Sequence, residues 1–254
     1  MCLILLAWQT DPDYPLVIAA NRDEFFARPT AQADFWADAP QVLAGRDLQA
    51  GGSWLGITRQ GRFAALTNYR DPAQNQRLPS RGALVADFLT GNETPENYLA
   101  RIAASGIRYN GYNLLLGDDQ SLWWASNVAG EARPLASGIY GVSNDLLDTP
   151  WPKVGAGKTA LTAALDGLPD DRPLFHLLRD DFIHPDEHLP NTGIPQAWER
   201  MLSAAFVKSP DYGTRSSTVL YRQKNGWLTF DEQTWLTGTQ PGSRARYRWR
   251  IGIA

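Results

Sequence analysis

Short apolar stretches separated by turn residues recur along the chain, and this pattern predicts strands joined by hairpins. Residues 2–8 and 16–20 are apolar, and the segment between them, Asp11-Pro12-Asp13-Tyr14-Pro15, has the composition of a turn. A hairpin here would place Asn21-Arg22-Asp23-Glu24, which follow the second strand, beside the start of the first. Residues 29–50 are rich in Ala, Asp, Pro and Gln, and this composition predicts an irregular segment without strands or helices.

The pattern continues to the end of the chain, where strands alternate with two groups of helices. Further strands are predicted after Gly52 and at residues 62–67, 112–116, 122–126, 138–143, 216–222, 226–232 and 244–251. Helices are predicted at residues 80–89, 94–104, 153–165, 172–179 and 195–207. Strands linked by hairpins imply antiparallel sheets, and grouped helices imply covering layers. The order therefore indicates an α+β sandwich of layers rather than a nucleotide-binding fold.

The composition is that of a soluble globular chain, and it narrows the choice of partners. Of 254 residues, 43% are hydrophobic and 20% are charged, which is enough apolar material for a large core. The net charge of −3 argues against nucleic acid, because phosphate binding needs a basic surface. The apolar stretch at residues 3–8 is too short for a signal peptide or a membrane span. We therefore expect one cytoplasmic domain over residues 1–254.

The single cysteine, Cys2, directly follows Met1. Removal of Met1 would give Cys2 a free α-amine, which can accept a proton near neutral pH, together with a nucleophilic thiol. A base and a nucleophile on one residue predict an N-terminal-nucleophile enzyme. The alternative is an inert cysteine that starts a buried strand.

Polar side chains recur at the predicted strand ends. Asn21, Asn68 and Asn144 each follow a predicted strand, and Arg215 precedes one. Side-chain amides can donate to an oxyanion, and an arginine can hold a carboxylate or other negative charge. Asparagine after a strand is also common turn chemistry, so a purely structural role is the alternative at each position.

Two further motifs have weaker implications. Gly155-Ala156-Gly157-Lys158-Thr159 imitates a phosphate-binding loop, but it lacks the earlier glycine and the leading strand. His184-Pro185-Asp186-Glu187-His188 contains metal-ligand residue types, but its proline favours a solvated loop. We therefore predict no metal site. The ten tryptophans either fill the core or form walls around a flat or apolar ligand.

In combination, several segments resemble the motifs of the NRDE family, whose animal members are called transport and Golgi organisation protein 2. They are Cys2, Asn21-Arg22-Asp23-Glu24, Gly45-Arg46-Asp47, Gly51-Gly52-Ser53-Trp54-Leu55-Gly56, Leu66-Thr67-Asn68-Tyr69-Arg70, Ser80-Arg81-Gly82, Tyr112-Asn113-Leu114, Val142-Ser143-Asn144 with Leu147-Asp148-Thr149-Pro150-Trp151-Pro152-Lys153, and Tyr212-Gly213-Thr214-Arg215-Ser216-Ser217-Thr218. The resemblance covers nearly the whole chain.

That family is similar, more remotely, to the cysteine N-terminal-nucleophile hydrolases, which include penicillin V acylase and bile salt hydrolase. The resemblance implies a four-layer αββα sandwich of two antiparallel sheets. It also implies that Cys2 is the nucleophile, that its own amine is the base, and that Asp23 holds the amine. Arg22 directly precedes Asp23 here, whereas residues lie between the arginine and the aspartate in those hydrolases.

The resulting hypothesis is a hydrolase that cleaves an amide or a thioester without a cofactor. Its predicted catalytic residues are Cys2, Asp23, Asn68, Asn144 and Arg215, and its predicted substrate-binding residues are Asn21, Arg22, Arg46, Trp54, Tyr69 and Tyr212. The alternative is a non-catalytic protein that binds and carries haem or an acyl-CoA in the same cleft. Both hypotheses predict a small-molecule partner, no nucleic acid and no membrane span.

Overall fold

In residues 2–237 and 240–252, which the computed structural model describes, thirteen strands and five α-helices are present. The strands are β1 Cys2–Trp8, β2 Leu16–Phe25, β3 Thr30–Trp36, β4 Ala39–Asp47, β5 Leu55–Thr58, β6 Phe63–Asn68, β7 Tyr112–Gly117, β8 Leu122–Ser126, β9 Glu131–Pro134, β10 Gly138–Val142, β11 Tyr212–Arg222, β12 Trp227–Trp235 and β13 Pro241–Arg250. The helices are α1 Gly82–Thr90, α2 Pro95–Ala104, α3 Pro152–Leu165, α4 Arg172–Leu178 and α5 Gln196–Met201.

The strands form two antiparallel sheets. The first sheet has the order β10-β1-β2-β11-β12-β13, and the second has the order β3-β4-β5-β6-β7-β8-β9. β1 is buried along its whole length because alternate side chains of a strand point to opposite faces of the sheet, and both faces are covered. Ile4, Leu6 and Trp8 face the second sheet. Leu3, Leu5 and Ala7 face the helices of the outer layer.

Helices cover the outer face of each sheet. Apolar residues of α3 and α4 pack against the first sheet, and those of α1 and α2 pack against the second. A separate apolar cluster fills the space between the two sheets. The α+β, four-layer αββα sandwich of two antiparallel sheets is thus confirmed. Among the described residues, none of the helices combines the length and the apolar composition that crossing a bilayer requires.

The sequence prediction is wrong at several elements, and it ends β2 at Ala20 and begins β11 at Ser216, whereas these strands are Leu16–Phe25 and Tyr212–Arg222. Residues 29–50 are not irregular, because they contain β3 and β4; register shifts in this pair interrupt the alternation that would have revealed it. The fully exposed β9 was not predicted, since it has no apolar face. α5 ends at Met201, well before the predicted end at residue 207. The other predicted helices agree with the structure within two residues at each end.

Candidate functional site

Cys2 lies at the edge of a cleft of about 500 Å³ between the sheets and the start of α1. It is the first residue of β1, pairs with Arg22 of β2, and is only 7% exposed. Its carbonyl oxygen accepts a 3.0 Å hydrogen bond from Ser143 Oγ. Burial raises the pKa of the Cys2 thiol, and the nearby Asp23 carboxylate acts in the same direction. Met1 lies outside the described residues.

Asp23 also lines the cleft, although its side chain is almost fully buried. Thr214 Oγ1 donates a 2.7 Å hydrogen bond to Asp23 Oδ1, which fixes the carboxyl group. Burial raises the pKa of Asp23, while the positive charge of Lys153 opposes this shift. The hairpin of β1 and β2 therefore places a thiol and a fixed carboxyl group side by side at the same end of the sheet.

Lys153 is a buried charged residue close enough to Asp23 to affect its pKa, and it was not among the site residues predicted from the sequence. Its side chain is 3% exposed, and Nζ donates no hydrogen bond within residues 2–237 and 240–252. Burial lowers the pKa of Lys153 to about 8, and the charge of Asp23 limits the decrease. A lysine at the second position of α3 is unfavourable for the helix dipole. That position is the sequence signal that could have identified it.

Asn68 and Asn144 lie together, but within the described chain only Asn68 lines the cleft. Asn144 is buried, and its Nδ2 donates a 2.8 Å hydrogen bond to the carbonyl oxygen of Asn68. The carbonyl oxygen of Asn144 accepts a 2.7 Å bond from the backbone N–H of Arg70. Asn144 therefore holds the end of β6 in place, while Asn68 is the asparagine that lines the cleft.

Asn21 has no exposed surface and lies in the core rather than in the cleft. Its Nδ2 donates to the carbonyl oxygens of Leu178 and Ala205 at 2.7 and 2.8 Å, and its Oδ1 accepts a 2.6 Å bond from Ser217 Oγ. These bonds tie β2 to the α4 layer and to β11. The Asn21 amide is thus used by the fold, and the predicted substrate contact has no support in this geometry.

The two predicted substrate-binding tyrosines also lie away from the cleft lining that the structure describes. Tyr212 is buried against Phe25 and Trp198, with ring centroids 5.0 and 5.5 Å away, and its hydroxyl donates to the Asp23 carbonyl oxygen at 3.1 Å. Tyr69 is half-buried beside Gly111. The hydrogen bond from the Tyr212 hydroxyl therefore helps to hold the backbone of Asp23.

Four other residues of the predicted site, Arg22, Arg46, Trp54 and Arg215, line the cleft. Arg46 makes two hydrogen bonds to Asp38, at 2.6 and 2.7 Å. Arg215 is not outside a strand, as the sequence suggested, but within β11 at a register shift between Thr214 and Ser216. This bulge gives Arg215 no paired residue on β2, and bulges commonly redirect a side chain.

Glu232 is a second buried acid of the cleft that the sequence prediction missed. Its carboxylate accepts hydrogen bonds from the backbone N–H of Ala33 at 2.8 Å and from Thr218 Oγ1 at 3.3 Å. Glu232 has the same strand phase as the core residues Leu228 and Phe230. A charged residue in the phase of apolar positions is the signal that could have revealed it.

Glu232→Gln should stabilise the fold, and the gain should grow with pH. Burial raises the pKa of Glu232, so the folded chain holds this proton more tightly than the unfolded chain does. The carboxyl group therefore favours folding least when pH exceeds its folded pKa. We expect the difference in melting temperature between variant and parent to be larger at about pH 8 than at about pH 5. The exposed-site control Glu187→Gln should show no such trend; a constant difference for Glu232→Gln would contradict the assignment.

A family model described as Transport and Golgi organisation 2 matches residues 1–237. The chain belongs to this family. A Transport and Golgi organization protein 2 homolog from Bos taurus is 38% identical to it over 95% of each chain. The homolog from Homo sapiens is 36% identical over 92% of this chain and 93% of the other. The family predicted from the motifs is thus confirmed.

Among solved structures, this Transport and Golgi organisation 2 family member is similar to a mutant of the conjugated bile acid hydrolase from Clostridium perfringens. The TM-score is 0.53 with 9% identity, and the match covers 100% of this chain and 98% of the other. At this identity the likeness shows the fold alone. It confirms the remote resemblance to N-terminal-nucleophile hydrolases as a resemblance of architecture.

Proposed function

We propose that the chain is a cysteine hydrolase of the N-terminal-nucleophile type that cleaves an amide or a thioester. The observation that carries the proposal is the placement of Cys2 beside the fixed carboxyl group of Asp23 at the end of one hairpin, in a cleft of about 500 Å³. Removal of Met1 would expose the α-amine of Cys2 at this position. The fold that the chain shares with a hydrolase is consistent with this proposal, but it does not identify the reaction.

The proposed reaction begins when the α-amine of Cys2 takes the thiol proton and the sulfur attacks the substrate carbonyl. A carbon–sulfur bond forms, and the carbonyl oxygen becomes an oxyanion that accepts a hydrogen bond from the Asn68 amide. The amine then protonates the leaving amine or thiol as its bond to carbon breaks. Water attacks the resulting thioester, loses a proton to the amine, and releases the acid together with the free thiol. Asp23 orients the amine throughout.

Three buried residues outside the described cleft lining support this arrangement. Thr214 fixes Asp23, and Lys153 provides a positive charge that favours its ionised form. Asn144 holds Asn68 in place by donating a hydrogen bond from its side chain to the Asn68 carbonyl oxygen. We therefore assign Asn144 a positioning role, and we assign direct stabilisation of the oxyanion to Asn68.

The proposed function is tested by incubating the full chain with a panel of N-acyl amides and acyl thioesters and measuring product release by mass spectrometry. We expect release of the free acid from at least one class, together with processed chain that begins at Cys2. Failure of every amide and thioester to be cleaved by chain that has lost Met1 would overturn the proposal.

Asn68→Ala should lower kcat on a cleaved substrate about 100- to 1000-fold, because one oxyanion donor is lost. The KM should change much less, since the interaction forms mainly in the transition state. Asn191→Ala, in an exposed loop, is the matched control and should leave kcat unchanged. An Asn68→Ala variant with the parent kcat would remove Asn68 from the mechanism.

The alternative function, binding and carrying haem or an acyl-CoA without turnover, would use the same cleft. Haem iron is usually held by His, Cys, Met or Tyr. Of the described residues that line the cleft, Cys2 alone is of these types, and it is buried. The lining therefore fits an organic substrate better than an iron-ligated haem.

A further inference from the structure

We infer that the substrate carries an anionic group, a carboxylate or a phosphate, which binds Arg81 and Arg215 in the cleft. This inference rests on the proposed function, because it names the chemical class of the substrate at the same site. Neither the family name nor the predicted reaction requires a charged substrate. The assignment comes from a difference among the arginines that line the cleft.

Three of the five arginines in the described lining have a carboxylate partner. The pairs are Arg22 with Glu24 at 3.8 Å, Arg28 with Asp47 at 2.5 Å and Arg46 with Asp38 at 2.6 Å. All three pairs neutralise the guanidinium charge locally, and the hydrogen-bonded pairs of Arg28 and Arg46 also hold the side chain in one orientation. These three arginines therefore have structural partners within the protein.

Arg81 and Arg215 differ, because within residues 2–237 and 240–252 they bind only backbone carbonyl oxygens. Arg81 Nη1 donates to the carbonyl oxygen of Gly111 at 3.0 Å. Arg215 Nη1 donates to those of Phe25 and Arg28 at 2.8 and 3.1 Å. In the described chain, the hydrogen bonds of each of these side chains all use Nη1, although a guanidinium has five N–H donors. Both guanidinium groups stay protonated in proteins. Neither forms an ion pair with a carboxylate in the described chain: Glu24 acts on the charge of both, but its ion-pair contacts are to Arg22 and Arg28, at 3.8 and 4.0 Å.

The backbone at both arginines is held firmly. Arg81 directly precedes α1, whose first residue, Gly82, accepts a 3.2 Å hydrogen bond from the backbone N–H of Ser53. Gly52 also packs directly on Gly82, since a Cβ at Gly52 would lie 2.4 Å from the Gly82 carbonyl carbon. Arg215 is fixed by its bulge in β11 and by its bonds to the turn after β2. Arginines on a backbone held in this way bind an anion with little loss of entropy.

The charge of the lining points in the same direction. Five arginines face four carboxyl groups in the described lining, namely Asp23, Glu24, Asp47 and Glu232. Basic side chains therefore outnumber acidic ones in the cleft by one. A neutral substrate would cover Arg81 and Arg215 without supplying a partner, which costs desolvation free energy. A carboxylate or phosphate would match the planar fork of a guanidinium.

The test compares N-octanoylglycine, N-octanoylaminomethylphosphonate and the uncharged N-octanoylglycinamide as probes of similar size. Binding is measured by isothermal titration calorimetry on the full chain with Cys2→Ala, which prevents turnover. We expect at least one anionic probe to bind about tenfold or more tightly than the amide, as charge-assisted hydrogen bonds predict. The stronger of the two anions identifies the carboxylate or the phosphate as the natural group.

Arg81→Gln and Arg215→Gln should each remove most of this preference, whereas Arg248→Gln on the outer strand β13 should retain it. Far-ultraviolet circular dichroism and thermal unfolding confirm that each variant is folded. Equal binding of charged and uncharged probes, no binding of any probe, or a preference unchanged in both cleft variants would overturn the inference. Cleavage of the neutral amide as fast as the glycine conjugate would also overturn it, yet would leave the proposed hydrolase intact.

Discussion

Cys2→Ala should reduce turnover of any cleaved amide or thioester by about four orders of magnitude or more, which is the size of effect seen when a catalytic nucleophile is removed. The substitution deletes the sulfur that forms the acyl-enzyme. The side chain is small and 7% exposed at the edge of the cleft, so the fold should tolerate the change. Turnover is measured under substrate saturation, and thermal unfolding is measured on the same samples.

The control for Cys2→Ala is Ala7→Ser, which changes a small residue on the same strand away from the cleft lining that the structure describes. It should leave turnover per folded molecule near the parent value, even if it lowers stability. Parent-like turnover in Cys2→Ala, with the fold intact, would show that another group performs the attack.

Asn21→Ala should destabilise the fold by roughly 3 kcal/mol, because buried hydrogen-bond partners are left unsatisfied. Asn21 bonds to Leu178, Ala205 and Ser217, all of which lie far along the chain. For a chain of this size, the loss corresponds to a decrease in melting temperature of about 6–12 °C. Differential scanning calorimetry measures it, and Asn191→Ala in an exposed loop is the matched control.

The same variant separates the structural role of Asn21 from the substrate-binding role that the sequence suggested. A structural role predicts lower stability and a normal KM per folded molecule at low temperature. An unchanged melting temperature combined with a raised KM would restore the substrate-binding role and contradict the hydrogen bonds described above.

The apolar periodicity predicts β1 well because this strand is buried on both faces. It fails at β2, where the apolar run stops at Ala20 although the strand continues to Phe25. Asn21, Arg22 and Asp23 are buried there, with partners that include distant segments such as Leu178 and Thr214. Local hydrophobicity cannot reveal burial that depends on contacts across such long sequence separations.

At the candidate site, too, the sequence identifies the residues but does not show which tertiary contacts they make. Family motifs pointed to Cys2, Asp23 and Asn68, and all three line one cleft in the structure. They did not separate Asn68, which faces the cleft, from Asn144, which bonds to its carbonyl oxygen. Only the three-dimensional arrangement distinguishes these positions, because both asparagines follow strands of similar character.

The arginines give a second example. The sequence shows Arg46, Arg81 and Arg215 as equally charged residues, each next to a glycine or a hydroxyl residue. Which of them has a carboxylate partner depends on tertiary contacts, such as that of Arg46 with Asp38. The substrate class could therefore not be predicted from the motifs alone.

The central claim, that Cys2 becomes an N-terminal nucleophile, is tested most directly by intact-protein mass spectrometry. The purified chain is mixed with an activated octanoyl thioester, the reaction is quenched in acid within seconds, and the intact mass of the chain is measured. The proposed mechanism predicts a chain without Met1 that carries one octanoyl group, which peptide mapping places on Cys2 and which disappears as substrate is consumed. A chain that retains Met1, or that loses Met1 but never acquires the acyl group, would contradict the mechanism.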